Sequence, residues 1–229
     1  MSKNKLEGIG ACVFDAYVTL FDVTAAASHC QAELGAKWQP LAEMWRTKQL
    51  QYTWLRGLMG RHADFWQVTG EALDFCMSSL QLDDAALRER LMQLYLELDA
   101  YPEAAGVLQR LKASGRKCAI LSNGSPKMLQ AAVEHAGIGK HLDAVISVEE
   151  AGIFKPHPSV YQLAVDQLGL PAGSMSFQSS NGWDAYAAKT FGFQTIWINR
   201  FGQARERLPG VPDIEVKDLT SVPGLVGAA

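Results

Sequence analysis

Short apolar runs alternate with amphipathic segments from residue 101 onward, and this alternation limits the fold more than any other feature. An earlier apolar run, residues 9–14, stops at Asp15 and predicts a buried strand. The later runs predict strands at 117–121, 144–147, 174–178, 194–198 and 213–216. The segments between them predict helices at 103–113, 127–136, 159–168 and 181–191. Such alternation predicts an α/β fold with a parallel sheet and right-handed crossovers.

Residues 22–98 interrupt this pattern with helical periodicity and almost no strand signal. Apolar residues recur at helical spacing, so we expect three buried stripes. The stripes comprise Leu41, Met44, Trp45, Lys48, Tyr52, Leu55 and Leu58, then Phe65, Trp66, Thr69, Leu73 and Cys76, then Leu87, Leu91, Leu94, Tyr95 and Leu98. We therefore predict a helical subdomain at residues 21–98, inserted into a core of residues 1–20 and 99–229.

Composition argues against several classes of protein. Lys and Arg number 21 against 24 Asp and Glu, so no basic excess exists to bind nucleic acid. No apolar run reaches the roughly 18 residues of a membrane span, and residues 1–7 lack a signal-peptide stretch. The cysteines form no CxxC pair and have no histidine at ligand spacing, which argues against zinc sites and disulfides. They are Cys12, Cys30, Cys76 and Cys118. We expect buried thiols in a cytoplasmic protein.

Polar residues follow the carboxyl ends of the predicted strands. These are Asp15, Ser122, the loop that carries Lys155, and residues 179–181. Ligands of open parallel sheets bind beyond these strand ends, so we expect a site there. The chain has no GxGxxG, P-loop or GxSxG motif, and so no sign of a dinucleotide, a nucleotide phosphate cradle or a serine nucleophile.

Each of these residues also has an ordinary structural interpretation. Asp15 would begin a turn, Lys155 would be exposed before a helix, and Asn181 with Asp184 would cap the next helix. A carboxylate at the mouth of a buried strand, however, requires compensation, and a nearby cation would keep it charged. We therefore interpret Asp15, Lys155 and Asp184 as one site, with Asp15 as the candidate nucleophile.

Other polar residues remain ambiguous when taken alone. Tyr161 is typical of a half-buried packing residue, and Arg46 of a solvated residue on the polar face of its helix. Ser122 and Asn123 suit either a plain turn or an anion site at a helix start.

Four segments stand in a familiar order and spacing. They are residues 15–20 (DAYVTL), residues 121–124 (LSNG), Lys155-Pro156 with Tyr161, and residues 179–184 (SSNGWD). Residues 44–46 and 52–55 extend the match into the insert. In these segments the chain resembles the haloacid dehalogenase superfamily, and more narrowly the L-2-haloacid dehalogenases. The resemblance implies a Rossmann-like core with an inserted helical cap.

The resemblance also implies an activity, the hydrolysis of short (S)-2-haloalkanoic acids to (R)-2-hydroxyalkanoic acids and halide. Asp15 would attack C2 of the substrate, displace halide with inversion and form an ester that water hydrolyses. Neither a metal nor another cofactor is implied. The expected partners are the 2-haloacid and the halide product, and the six tryptophans with the long apolar residues of the cap indicate a homodimer.

Further roles come with the same resemblance. Arg46 would receive the halide, Ser122 would hold the substrate carboxylate, and Lys155 would be the main cation beside Asp15. Asp184 would place or activate the water. The groups that orient the ester would be Thr19, Tyr161, Ser179 and Asn181. The substrate-binding residues would be Ala16, Tyr17, Arg46, Leu50, Phe65, Ser122, Asn123 and Trp183.

Two residues depart from the family pattern. Val18 stands where the family usually has glycine, and a β-branched residue disfavours a positive φ, so we expect a turn of different shape. Thr47 stands where related enzymes often carry glutamine, which bears on the size of the pocket.

Two alternative functions remain. A phosphatase of the same superfamily would carry a second aspartate where this chain has Tyr17, and an acidic residue near Ser179 and Ser180 to bind Mg²⁺. A non-catalytic binding protein with this fold would have lost Asp15 or Lys155. The residues therefore favour the dehalogenase.

Overall fold

A computed structural model describes residues 5–23 and 31–228. The strands in these ranges are β1 (Ala11–Phe14), β2 (Lys117–Ser122), β3 (Ala144–Ser147), β4 (Met175–Ser179), β5 (Gln194–Ile198) and β6 (Ile214–Val216). They form a parallel sheet in the order β3-β2-β1-β4-β5-β6. Val13 of β1 lies opposite Ala119 of β2 and Phe177 of β4, so β1 occupies the middle of the sheet. The α/β fold with a parallel sheet is confirmed.

Helices account for most of the remaining chain. Between β1 and β2 lie α1 (Gln31–Leu34), α2 (Trp38–Met59), α3 (Phe65–Ser79), α4 (Ala85–Leu94) and α5 (Ala104–Ala113). The later helices are α6 (Pro126–His135), α7 (Pro158–Leu168), α8 (Gly182–Phe191) and α9 (Val222–Leu225). Short 3-10 turns lie at Gly35–Lys37, Gly139–His141, Val148–Glu150, Ala172–Ser174 and Leu219–Ser221. None of the helices in the described ranges has the length and apolar character needed to cross a bilayer.

Helices α2 and α3 pack together, but only part of the predicted stripe on α2 is buried. Leu41 and Trp45 are buried as expected, whereas Leu55 and Leu58 are 43% and 86% exposed. The buried face continues instead through polar residues. Gln49 donates to the Thr69 hydroxyl at 2.7 Å and Trp45 Nε1 donates to the Thr69 carbonyl at 2.9 Å. These hydrogen bonds satisfy the polar groups and so allow polar residues on the buried face of α2. The apolar spacing in the sequence therefore predicted only part of this face.

The two segments that lead into and out of residues 21–98 lie side by side. Phe21 and Ala100 form an antiparallel bridge, and the Tyr101 amide donates to the Leu20 carbonyl at 2.8 Å. Arg200, two residues after β5, donates to the Thr19 carbonyl at 2.9 Å and stacks on the Tyr101 ring at 3.7 Å. The two segments that connect residues 21–98 to the rest of the chain are thus attached to the core. The division into core and cap domains stays a prediction.

Three of the four cysteines lie within the described residues, and their thiols are buried as predicted. Cys12, Cys76 and Cys118 are buried and carry no disulfide, and burial raises the pKa of Cys12 and of Cys76 to about 11. Cys30 lies outside the described residues. The described thiols are therefore packing groups that stay protonated at neutral pH.

Candidate active site

The carboxyl ends of three adjacent strands bring the candidate residues together. Asp15 directly follows β1, Ser122 ends β2 and Ser179 ends β4. The Asp15 amide donates to the Gln178 carbonyl at 2.9 Å, which continues the sheet ladder to the first residue of the loop. The sheet register therefore holds the backbone of Asp15 in place, as expected for parallel strands that end at a common edge.

The two carboxylate oxygens of Asp15 have different surroundings. Oδ2 accepts hydrogen bonds from Thr19 Oγ1 at 3.2 Å, from Ser179 Oγ at 3.2 Å and from Asn181 Nδ2 at 2.7 Å. Oδ1 faces Lys155 Nζ at 3.1 Å. Both hydroxyl oxygens also accept backbone hydrogen bonds, Thr19 from the Ser180 amide and Ser179 from the Asn181 amide. Their hydroxyl protons are thus directed at Asp15.

Lys155 is shared between two buried carboxylates. Its side chain is 1% exposed, and Nζ lies 2.8 Å from Asp184 Oδ2 as well as 3.1 Å from Asp15 Oδ1. Burial alone would lower the pKa of Lys155, but the charges of Asp15 and Asp184 together raise it above its usual value. The Lys155 amide donates to Asn123 Oδ1 at 3.0 Å, which fixes the loop. A permanent cation therefore lies beside Asp15.

Asp184 lies in the first turn of α8 and is fully buried. Its Oδ1 accepts a hydrogen bond from the Tyr161 hydroxyl at 2.7 Å. Burial raises the pKa of Asp184 to about 6, against the opposing charge of Lys155. Burial and the neighbouring Asp184 carboxylate raise the pKa of Tyr161 well above its usual value, so its hydroxyl remains a donor.

Arg46 reaches this cluster from α2. Its guanidinium donates to Oδ1 of Asn181, the residue whose amide nitrogen donates to Asp15. These two contacts fix the orientation of the Asn181 side-chain amide, whose oxygen faces Arg46 and whose nitrogen faces Asp15. One amide thus connects the helical insert to the Asp15 carboxylate.

Aromatic residues surround the turn after Asp15. The Tyr17 ring stacks on Phe65 at 5.8 Å and meets the edge of Tyr95 at 6.0 Å. Trp183 is half-buried and meets Trp54 edge-on at 5.5 Å. The aromatic rings of Phe65 and Tyr95, both in the helical insert, therefore pack against the turn that follows Asp15.

Val18 adopts the left-handed conformation at φ 69°. A β-branched residue thus occupies a conformation that favours glycine. The difference in turn shape from the family pattern stays a prediction. Three amides, those of Thr19, Leu20 and Phe21, converge on the Ala16 carbonyl and hold the turn closed. Thr47 is exposed and its hydroxyl bonds its own helix, so this departure lies outside the site.

Comparison with known proteins gives the family. A sequence profile described as a haloacid dehalogenase-like hydrolase matches residues 9–192. The chain belongs to the haloacid dehalogenase-like hydrolases. It is 46% identical to (S)-2-haloacid dehalogenase 4A of Burkholderia cepacia over 88% of this chain and 87% of that protein. It is 44% identical to (S)-2-haloacid dehalogenase 1 of Pseudomonas sp. strain CBS-3 over 96% and 98%.

Solved structures agree with this assignment. The L-2-haloacid dehalogenase from Xanthobacter autotrophicus, with chloropropionic acid covalently bound, superimposes with a TM-score of 0.89. It is 40% identical in sequence, and the match covers 95% of this chain and 98% of that structure. The present member of the haloacid dehalogenase-like hydrolases therefore has the same fold as that structure over the matched residues.

Most of the predicted site residues of this haloacid dehalogenase-like hydrolase belong to one hydrogen-bonded network. Its members are Asp15, Thr19, Arg46, Asn123, Lys155, Tyr161, Ser179, Asn181 and Asp184. Ser122 accepts a hydrogen bond from the Gly124 amide at 3.1 Å, next to this network. Ala16 is buried in the turn, and Leu50 is half-buried one helical turn after Arg46.

Two interpretations made from the residues alone are wrong. Tyr161 is fully buried rather than half-buried, because its hydroxyl has a carboxylate partner. Arg46 is part-buried and bonded to Asn181 rather than solvated. Sequence reasoning placed Ser180 at the site but gave it no role, because its contribution is a backbone amide that donates to Thr19 Oγ1 and leaves no side-chain signal. Tyr95 appeared only as a member of an apolar stripe, although its ring contacts Tyr17.

Proposed function

We propose that this enzyme hydrolyses short (S)-2-haloalkanoic acids to (R)-2-hydroxyalkanoic acids and halide through an ester on Asp15. The observation that carries this is the buried Asp15 carboxylate, which Lys155 and three hydrogen-bond donors hold in one orientation. The 40–46% identity to several (S)-2-haloacid dehalogenases supports it. So does the covalent chloropropionic acid in the Xanthobacter relative.

The unequal surroundings of the two Asp15 oxygens support Oδ1 as the attacking atom. Oδ2 of Asp15 accepts three hydrogen bonds, whereas Oδ1 faces only Lys155 and keeps a lone pair free. Oδ1 therefore attacks C2 of the substrate from the side opposite the halogen. The carbon–halogen bond breaks with its electron pair, and the halide leaves toward Arg46. Backside displacement inverts C2, so an (S)-haloacid gives an (R)-ester.

Hydrolysis of the ester uses the other oxygen. Water adds to Cγ of Asp15 and passes a proton to Asp184, and negative charge develops on Oδ2. The donors of Thr19, Ser179 and Asn181 already face Oδ2 and stabilise that charge without rearrangement. The bond between Cγ and Oδ1 then breaks. The alkoxide takes a proton through Lys155, which recovers the one that Asp184 took from water, and C2 keeps its configuration. Asp15 is left as the neutral acid that carries the second proton of the water, and it releases that proton to solvent to restore the carboxylate.

The phosphatase alternative fits the site less well. A superfamily phosphatase needs a second aspartate as general acid at the position of Tyr17. Burial raises the pKa of the Tyr17 phenol, and its ring is stacked on Phe65, so it cannot shuttle protons near neutral pH. Ser179 and Ser180 lack the carboxylate that Mg²⁺ prefers.

Residues 21–98 are proposed to act as a cap that covers Asp15. They supply Arg46 on α2 and Phe65 on α3, both of which contact residues that follow β1 or β4. Loss of the contact between Arg46 and Asn181 should therefore let more water reach the ester on Asp15.

We further propose a homodimer formed through the end of α2. Trp54, Leu55, Leu58 and Met59 are exposed together there, and large exposed apolar patches mark interaction surfaces. Leu58→Glu should convert the dimer to a monomer in sedimentation equilibrium, with the fold unchanged by circular dichroism. A wild-type monomer at all concentrations would contradict the proposal.

The decisive test of the activity is a single turnover in ¹⁸O-labelled water with enzyme in excess. (S)-2-Chloropropionate should release chloride and give (R)-lactate, with the label incorporated into Asp15. Asp15→Asn should release no chloride. Label that appears first in lactate would show direct attack by water, and a racemic product would contradict a single displacement.

A further inference from the structure

Arg200 is a buried arginine that the proposed reaction does not use. It lies two residues after β5, and its side chain is only 9% exposed. Its Nη2 donates to the Thr19 carbonyl at 2.9 Å and forms an ion pair with Glu103 at 2.7 Å. The guanidinium carbon lies 3.7 Å from the centre of the Tyr101 ring. The first of these contacts reaches the turn that follows Asp15.

Stability alone is a weak reason for a charged group at this place. Glu103 balances the charge of Arg200, but Arg200 Nε has no hydrogen-bond partner among residues 5–23 and 31–228. Replacement of a buried ion pair by well-packed apolar residues is often neutral or stabilising. An apolar side chain, however, could not donate to the Thr19 carbonyl. That hydrogen bond is therefore the contact for which an arginine is needed here.

Thr19 connects Arg200 to the Asp15 carboxylate. Thr19 Oγ1 accepts a hydrogen bond from the Ser180 amide at 2.8 Å and donates to Asp15 Oδ2 at 3.2 Å. The Thr19 amide donates to the Ala16 carbonyl at 3.3 Å. With its carbonyl bonded to Arg200, every polar group of Thr19 has a partner. Because the backbone orientation of Thr19 sets the direction of its hydroxyl, the Arg200 contact restrains that direction.

The conformation of the turn makes such a restraint necessary. Val18, which precedes Thr19, has a φ of 69°, and residues in such strained conformations persist only where the surrounding structure holds them. The Tyr101 amide donates to the Leu20 carbonyl at 2.8 Å. Arg200 and the Tyr101 ring that it stacks on thus belong to one unit, which holds two consecutive carbonyls directly after the strained residue.

We propose that Arg200 is a positioning residue for ester hydrolysis, which keeps the Thr19 hydroxyl directed at Oδ2 of Asp15. The proposal rests on the proposed dehalogenase function, in which Oδ2 carries the negative charge that develops during hydrolysis. A donor stabilises such a charge only when it is already aligned with it. Alkylation uses Oδ1, which faces Lys155 instead. Loss of Arg200 should therefore slow the second step more than the first.

The kinetic test measures the two steps separately. Arg200→Met should slow decay of the ester on Asp15 about tenfold, less than the loss on outright removal of a donor to an oxyanion. The first release of chloride from (S)-2-chloropropionate should stay within about twofold of the wild-type rate. The ester should then accumulate in an intact-protein mass spectrum. Arg205→Met, which removes an exposed arginine paired with Glu215, is the matched control and should behave as wild type.

A conservative variant guards against a loss of folding. Arg200→Lys keeps a positive charge beside Glu103, so the fold should be retained in circular dichroism. It should show the same selective slowing of ester decay to a smaller degree, about threefold, because an ammonium lacks the planar group that contacts two partners at once. Equal slowing of chloride release and ester decay in Arg200→Met and Arg200→Lys overturns the proposal.

A double variant tests whether the effect passes through Thr19. Thr19→Val keeps the shape of the side chain and removes its hydroxyl. Addition of Arg200→Met to Thr19→Val should slow ester decay no further, because two residues that act through one group are not additive. A second loss of similar size in the double variant would show that Arg200 acts by another route, and would contradict the proposal.

Amide hydrogen exchange gives a readout that does not depend on activity. The Ser180 amide donates to Thr19 Oγ1, so Arg200→Met should speed its exchange about tenfold relative to the amides of β1. Unchanged exchange at Ser180 in an active enzyme overturns the role of Arg200 alone. Absence of chloride release from the wild-type enzyme, with the exchange response present, overturns the proposed function and with it the step assigned to Arg200.

Discussion

Arg46 donates a hydrogen bond to Oδ1 of Asn181 and so joins α2 to the start of α8 across the active site. The amide nitrogen of the same Asn181 lies 2.7 Å from Asp15 Oδ2. A disturbance of the arginine is therefore transmitted to the nucleophile through a single side chain.

Arg46→Lys should slow the first halide release about 100-fold, because a lysine cannot keep both the Asn181 contact and a charge directed at the halide. Rapid-quench measurement of chloride in a single turnover checks this. Arg56→Lys, on the same helix but paired with Glu71, is the matched control and should leave the rate unchanged. An equal loss in both variants would indicate a general effect on α2.

Asp184→Asn should slow ester hydrolysis about 10²–10⁴-fold, the usual range for loss of a general base, and should slow alkylation much less. The enzyme should then accumulate as a species heavier by the alkanoate group in an intact-protein mass spectrum. Asp15→Asn should show no adduct. Loss of the first halide release in Asp184→Asn, with binding intact, would place Asp184 in the alkylation step.

The raised pKa of Asp184, about 6, predicts an acidic limb in the pH dependence. A protonated Asp184 carboxyl cannot accept the proton of water, so on the acidic side of its pKa hydrolysis should fall about tenfold per pH unit. Esterification removes the Asp15 charge that contributes to the raised pKa, so the limb for hydrolysis should lie below pH 6. The pKa of Asp184 in the folded state exceeds the usual value of 3.8. Asp184 therefore contributes to the free energy of unfolding fully below pH 3.8, and this contribution is lost as the pH rises through 6. Single-turnover rates from pH 4.5 to 8 test the first effect.

Activity should be unchanged by EDTA and should not increase with Mg²⁺. Lys155 Nζ already lies between the carboxylates of Asp15 and Asp184, where a cation would be needed. Among residues 5–23 and 31–228, no group of three or more His, Cys, Asp or Glu side chains is placed to hold a metal ion. A clear requirement for Mg²⁺ in chloride release would revive the phosphatase alternative.

At position 18, glycine should give a more stable protein than alanine by about 1 kcal/mol, because φ is 69° and only glycine adopts that conformation without strain. Urea unfolding of Val18→Gly and Val18→Ala measures the difference. The opposite order is expected at Val107 in the middle of α5, where glycine should be less stable than alanine by about 1 kcal/mol. The same order at both sites would argue against backbone strain at Val18.

The sequence was sufficient to predict the parallel sheet, because most strands contain a short apolar run and alternate with amphipathic helices. The Asp15 site followed from strand-end positions, which the chain order alone determines in a parallel sheet. The buried face of α2 was not predictable in the same way. Gln49 and Thr53 are buried there, the former through a hydrogen bond to α3 that a periodicity pattern does not contain.

Other features depend on contacts between distant segments. The hydrogen bond between Arg200 and the Thr19 carbonyl joins residues that lie 181 positions apart in the chain. The ambiguity of Arg46 was resolved by Asn181, which β4 and α8 place at the far side of the site. Local sequence patterns carry no information on such pairings.

Lys155 is shared by two carboxylates, and this sharing sets the net charge of the site during the reaction. The formal charges of Asp15, Asp184, Lys155 and Arg46 sum to zero, so binding one 2-haloacid makes the site a monoanion. A dianionic phosphate ester would double that excess in a buried site, where unbalanced charge is expensive. Esterification removes the charge of Asp15 as the halide gains one, so the total stays constant through the first step. The net charge of a substrate, as well as its shape, therefore limits which acids this enzyme accepts.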